Sequence, residues 1–149
     1  MADVMIDKLD PMGFETIAHL YNQVFRPERD EEYFERRLDG RHNVLAMGAR
    51  IEDEAVGFIV GMERTPRVWF AWLVGVLPDA RRMGVASQLM NAAADWARTR
   101  GYKAIRFECT NRGRAMMHFG IAADYDVVGV RWDMDSAENL LMFEKVLVE

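Results

Sequence analysis

One cysteine, Cys109, stands in a chain of 149 residues, so no disulfide can form within it, and a reducing, cytoplasmic setting is the expectation. Long apolar runs are missing. None approaches the roughly 18–20 residues that cross a membrane, and the opening MADVMIDKLD is acidic and lacks the apolar core of a signal peptide. Positive charge is not in surplus: 19 Lys and Arg stand against 24 Asp and Glu, a net charge of −5. That balance argues against bulk nucleic-acid binding, which draws on excess cations, but it leaves room for a local basic site. The three histidines, His19, His42 and His118, have no metal-ligand spacing, so no metal is expected. Repeats, low-complexity tracts and Pro/Gly/Ser-rich linkers are missing too. The expectation is a mature, soluble chain forming one domain over residues 1–149, with no membrane or nucleic-acid partner.

What is present is half apolar, enough for a core without a metal or disulfide staple, since folding at this length buries about 68–70% of the chain's surface. Val4 to Leu9 reads as a short edge strand. Pro11 suits the first turn of a helix running to about Phe25, with Ile17, Leu20, Tyr21 and Val24 at helical spacing. Asp30 is placed to cap a second helix through Leu38, and Gly40 to end it. NVLAMGARIEDEAVGFIVGMERT holds two apolar runs around EDE, the pattern of a hairpin. RVWFAWLVGVLP is apolar on both faces, as a central strand would be. A helix follows from Gly84 to about Arg100, closed by Gly101. YKAIRFECT alternates as a strand, GRAMMHFGIAAD suits a short helix, and YDVVGVRWD and ENLLMFEKVLVE suit a final strand pair. The order β-α-α-β-β-β-α-β-α-β-β contains one strand–helix–strand crossover, hence one parallel pair in an otherwise antiparallel sheet: a mixed α/β sandwich.

The stretch VLPDARRMGVASQLM, Val76 to Met90, carries the chemistry. A strand ends at a proline, two arginines and a glycine follow, and a helix begins. A helix leaves its first four amides without partners and places about half a positive charge there. Gly84 removes the Cβ that would hold a ligand off the backbone, and Arg81 and Arg82 add charge and donors. Together these suit a phosphate or pyrophosphate, although arginines at a turn and a glycine at a strand–helix junction are also ordinary structure. The P-loop and dinucleotide fingerprints are both absent.

This stretch resembles the signature of the GNAT superfamily of acyl-CoA-dependent N-acyltransferases: Arg/Gln-x-x-Gly-x-Gly/Ala after a strand ending in Val-x-Pro, here Arg81, Gly84 and Ala86 with Val76 and Pro78 upstream. The element order matches that family over essentially the whole chain, and TNRGRAMMHFGIAADYDVVG resembles its later strand–helix segment. The resemblance implies a GNAT-like α/β fold: a mixed, mostly antiparallel central sheet with a splayed parallel strand pair and helices on both faces. It implies acetyl-CoA as cosubstrate and a small-molecule or protein amine as acceptor, with a homodimer a family habit. The amides of Arg82, Met83, Gly84, Val85 and Ala86 would hold the pyrophosphate of coenzyme A, Val74 and Val76 would offer backbone groups to its pantetheine arm, and Asn111 would touch the arm from the other side.

An amine with a pKa near ~10 must lose a proton before it attacks a thioester, and a carboxylate is the usual sink. Glu108, Glu63 and Asp79 are the candidates; Glu108 is preferred as catalytic base, though a strand glutamate also fits a solvated face. A backbone amide near Val74 would serve the oxyanion. The family's late-helix tyrosine, the general acid, is missing: counting from Asn111 puts His118 in its place, and counting back from Asp124-Tyr125 puts Gly120 there. His118 is the candidate acid; a plain surface histidine is the alternative. Trp69 and Trp72 suit the core, and one of them an acceptor pocket. Arg112 and Arg114 suit a phosphate or bulk solvent, and Cys109 burial. Glu28, Asp30, Glu31 and Glu32 lie where the family's acceptor side varies and favour a cationic acceptor, or simply form a solvated face. A CoA-binding sensor without catalysis is the alternative to an N-acetyltransferase.

Overall fold

The computed structural model describes residues 3–10 and 13–147. The order of elements is the one expected: β1 (Val4–Leu9), α1 (Phe14–Val24), α2 (Glu31–Leu38), β2 (Leu45–Ile51), β3 (Glu54–Thr65), β4 (Val68–Val76), α3 (Val85–Thr99), β5 (Ala104–Thr110), α4 (Arg114–Ala122), β6 (Asp126–Asp133) and β7 (Glu138–Val146). Pro11, expected in the first turn of α1, lies outside the described residues. Local chemistry explains the boundaries. The Asp30 carboxylate accepts from the Tyr33 amide at 2.9 Å and starts α2. Glu31 and Glu32 in its first turn and Arg36 and Arg37 in its last suit the helix dipole. Gly101, at φ +89°, lets the chain leave α3.

Among the described residues, seven strands form one sheet in the order β1-β2-β3-β4-β5-β7-β6. Among these strands only β4 and β5 are parallel, joined by α3 as the crossover. β1 is an edge and β4 is central, as their compositions imply. The last strand, β7, inserts between β5 and β6, which leaves β6 as the other edge with Val127, Val130 and Trp132 exposed. The helices lie on both faces. α3 covers one, where Leu89, Ala93 and Ala97 meet Trp69, Ile105 and Phe107; α1 and α2 cover the other, where Ile17, Leu20 and Phe34 meet Phe58, Val60 and Phe70.

A bulge in β4 sets the rest. Gly61 opposes Ala71 and Val60 opposes Leu73, so Trp72 is an extra residue with no partner on β3. The alternation of side chains shifts there by one. Trp69 and Ala71 face α3 before the bulge, and Val74 and Val76 face it afterwards, while Phe70, Trp72 and Leu73 face α1 and α2.

Candidate active site

The parallel pairing of β4 and β5 runs only from Val68↔Ala104 to Ala71↔Phe107. Beyond it, β4 stays paired to β3 and β5 to β7, but they no longer pair with each other. Trp72 to Val76 thus present an unpaired backbone edge to the gap, which a ligand with amide groups can meet as an added strand would.

At the far end of β4 a 3₁₀ turn, Pro78–Ala80, leads into the loop before α3. Arg82, at φ +70°, and Gly84, at φ +76°, are both left-handed. For Arg82 that conformation is uncommon and costs on the order of 1–2 kcal/mol. The first bond into α3 runs from the Gln88 amide to the Gly84 carbonyl at 3.0 Å. Among the described residues, none of the amides from Arg82 to Ser87 donates to a protein acceptor. A Cβ built on Gly84 meets nothing within 4 Å, so the space over the loop is open. Free amides, a helix N-terminus and open space above a glycine make an anion cradle.

A cleft of about 630 Å³ joins the loop to the gap. Val74, Gly75, Val76 and Phe25 line one side; Gly113, Ala115, Met116 and Phe119, at the start of α4, line the other. Arg81, Arg82, Arg112 and Arg114 also line it, and among the described residues no carboxylate does. The Arg81 Nε donates to the Val76 carbonyl at 3.2 Å, which holds Arg81 against the end of β4 and takes one of that carbonyl's two lone pairs. Of the residues expected to bind coenzyme A, Val74, Val76, Arg81, Arg82, Gly84, Val85 and Ala86 line the cleft. The Met83 side chain turns instead into a recess beside Ile51 and Leu77, and Asn111 is exposed and outside the lining. Gly75 makes room for protein rather than for a ligand: a Cβ there would lie 2.6 Å from Phe58 and 3.0 Å from Phe25.

A second cavity, of about 700 Å³, lies on the α1–α2 side of the sheet. It reaches the gap through Trp72 and Glu108, the first residues of β4 and β5 past their last pair. Glu108 is nearly buried, and both of its oxygens accept from Arg131 at 3.1 Å. Glu63 also lines this cavity and accepts from the Tyr102 hydroxyl at 2.7 Å, which in turn accepts from Asn43 at 2.6 Å. Burial, with Glu63 next, raises the Tyr102 pKa. Asp79 faces the Met83 recess instead. Trp69 is fully buried and donates its indole N–H to the Asn43 carbonyl, whereas Trp72 forms the cavity wall.

His118 is exposed on α4 and outside the cleft lining, so the structure does not bring it to the gap. Gly120 packs on Phe107 and Phe143, where a Cβ would lie 2.8 Å from the Phe143 ring. The ring that faces the cleft lies between those two positions: Phe119, which has no proton to give. Counting forward from Asn111 and back from Asp124 lands on either side of it, at His118 and Gly120. Cys109 is buried, and burial pushes its thiol up to about 11, so it is not a thiolate nucleophile at neutral pH. Among the described residues, no cluster of metal-ligating side chains occurs and no helix is long and apolar enough to cross a membrane.

Comparison with known proteins agrees with this geometry. No curated protein matches the chain. Among solved structures, the ribosomal-protein-S18-alanine N-acetyltransferase of Escherichia coli superposes with a TM-score of 0.83 at 14% identity, covering 99% of this chain and 96% of its own. Ard1 of Thermoplasma volcanium does so with a TM-score of 0.80 at 20% identity, covering 98% and 99%. Arabidopsis thaliana NAA60, solved in complex with a bisubstrate analogue, gives 0.74 at 12% identity, covering 97% and 98%. At these identities the likeness shows the fold. The family model of the acetyltransferase (GNAT) family matches residues 14–120, and the chain, with its splayed β4–β5 pair and its open loop before α3, belongs to that family.

Proposed function

We propose that this protein transfers an acetyl group from acetyl-CoA to an amine. One observation carries the reading: among the described residues, a cleft between splayed strands ends on unpartnered backbone amides and four arginines, with no carboxylate in its lining. That donor set suits a pyrophosphate on a long, mostly uncharged arm. The bisubstrate analogue bound by the Arabidopsis neighbour lends support.

Bound there, acetyl-CoA supplies an activated acetyl thioester. The amides of Arg82 to Ala86 hold the pyrophosphate, and Arg81, Arg112 and Arg114 supply charge. Val74 and Val76 meet the arm along the open edge of β4, and the amide near Val74 is the donor for the acetyl oxygen. Glu108 orients the amine and receives its proton. Arg131 takes one lone pair on each carboxylate oxygen, and the remaining pairs are free to accept. Departure of the CoA sulfur needs no acid from this chain, because a thiol of pKa near ~8.5 is a fair leaving group at neutral pH. A reducing, cytoplasmic setting fits the single free thiol. The exposed apolar edge of β6 is the surface available to a homodimer.

Acetyl-CoA offered with a panel of amines should release free thiol in an amine-dependent way. Glu108→Gln should lower kcat by about 10²-fold or more. Turnover confined to acceptors without an amine would refute the reading. Phe119 in the cleft favours a second reading, a CoA-binding sensor without catalysis, which predicts slow thioester hydrolysis indifferent to any amine.

A further inference from the structure

The second cavity is unusual in its charge. Six arginines line it against four carboxylates, a local positive surplus in a chain of net charge −5. The four carboxylates offset four of the six charges and leave two unbalanced. Glu108 is taken by Arg131, Glu63 accepts from Tyr102, and Asp133 accepts from the Ser136 hydroxyl at 2.8 Å. Arg26, Arg29, Arg37, Arg41 and Arg64 have no carboxylate within 4.0 Å among the described residues. The acids expected to attract a cation, Glu28, Asp30, Glu31 and Glu32, do not line the cavity, whereas Arg26, Arg29 and Arg37 from the same stretch do.

Three of these guanidinium groups sit over rings. Arg29 lies 4.4 Å over Tyr33, Arg37 lies 4.7 Å over Trp72, and Arg64 lies 4.0 Å over Phe70. A guanidinium over a ring keeps edge N–H groups that can fork onto an oxyanion; on Arg37 one of them donates to the Tyr33 hydroxyl at 3.1 Å. The Nε of Arg29 is buried with no hydrogen-bond partner among the described residues. Burial lowers the proton affinity of Arg64, as do Arg131, Arg106 and Arg41, with Glu108 opposing. Arginines gathered this closely repel one another, and an anion among them removes that repulsion.

We infer that the amine acceptor bears an oxyanion, a carboxylate or a phosphate, which Arg29, Arg37 and Arg64 seat in this cavity while the amine reaches the gap beside Trp72 and Glu108. The inference rests on the acetyl-transfer reading above and deepens it. The aromatic platforms admit an apolar body between the two groups.

The test uses matched pairs: free amino acids against their carboxamides, and phosphoethanolamine against ethanolamine. Each is titrated calorimetrically into the full chain with and without acetyl-CoA, and each is assayed for thiol release. The charged member of at least one pair should bind and turn over at least tenfold better, and which pair responds tells carboxylate from phosphate. Arg64→Gln and Arg37→Gln should each erode that preference while leaving acetyl-CoA affinity unchanged. Equal or better binding by the uncharged members, or a preference that survives both substitutions, would overturn the inference. Failure of acetyl-CoA itself to bind would instead overturn the parent reading, and the titrations without it still report the anion preference.

Discussion

Gly84 offers the sharpest separation of fold from function, because its two properties can be tested independently. Its φ of +76° is left-handed, and a Cβ there would meet nothing within 4 Å. Gly84→Ala therefore has no steric cost within the protein, and the left-handed conformation alone costs about 1–2 kcal/mol. For a chain of this size that lowers Tm by roughly 3–8 °C. Gly40 at φ +72° and Gly101 at φ +89° have the same open surroundings, so Gly40→Ala and Gly101→Ala should show a similar loss. Ligand separates the three. Acetyl-CoA at about 100-fold over Kd stabilises the wild type by roughly 2.7 kcal/mol, a rise of about 5–10 °C. A methyl over the cradle that weakens one charged hydrogen bond by about 2 kcal/mol raises Kd about thirtyfold. At the same ligand concentration only about 0.9 kcal/mol of stabilisation then remains, or about 2–4 °C. Thermal unfolding of the wild type and three variants, with and without acetyl-CoA, measures both quantities. A Gly84→Ala protein that keeps the full ligand shift would refute the placement of the anion over this loop. No shift in any of the proteins would remove coenzyme A from the cleft altogether.

His118→Ala should leave kcat unchanged across pH, since the side chain is exposed and away from the cleft lining; a lost pH limb in steady-state rates would return it to the mechanism. Gly120→Ala should destabilise by about 1–3 kcal/mol, because its Cβ would fall 2.8 Å from Phe143 and 3.0 Å from Phe107; an unchanged denaturant midpoint would show that the rings give way freely. The buried Cys109 thiol titrates at about 11 against 9.0 unperturbed, so the folded state holds its proton longer than the unfolded one. Its contribution is complete below pH ~9 and declines as pH rises through about 11, by up to ~3 kcal/mol. Cys109→Ala should flatten that slope in urea titrations at several pH values, and thiol reagents should label the native protein slowly at pH 8.

The features that local chemistry governs were legible in the chain. Helix limits follow from Asp30 as a cap and from glycines able to turn left-handed, and the interior strand follows from a run that is apolar on both faces. The loop before α3 is equally local: an amide cradle needs only a helix start, a glycine and flanking charge, all within Pro78 to Ala86. For the same reason the element order and the single parallel pair were readable before any contact was known.

Other features depend on which distant residues share a surface, and only the tertiary structure decided those. The bulge at Trp72 is a shift in the pairing register of β3 and β4, and it decides which side of the sheet Val74 and Val76 serve. The insertion of β7 between β5 and β6 brings Arg131 to Glu108 across 23 residues, turning a lone strand glutamate into half of an ion pair. Phe119 faces the cleft and His118 faces solvent because the packing of α4 sets its rotation, which residue counting cannot see. The stretch after α1 looked acidic in one dimension. Folding set Arg29 and Arg37, over the rings of Tyr33 and Trp72, between the second cavity and an adjoining recess, and it is that recess, not the cavity, that Glu28, Asp30 and Glu32 line.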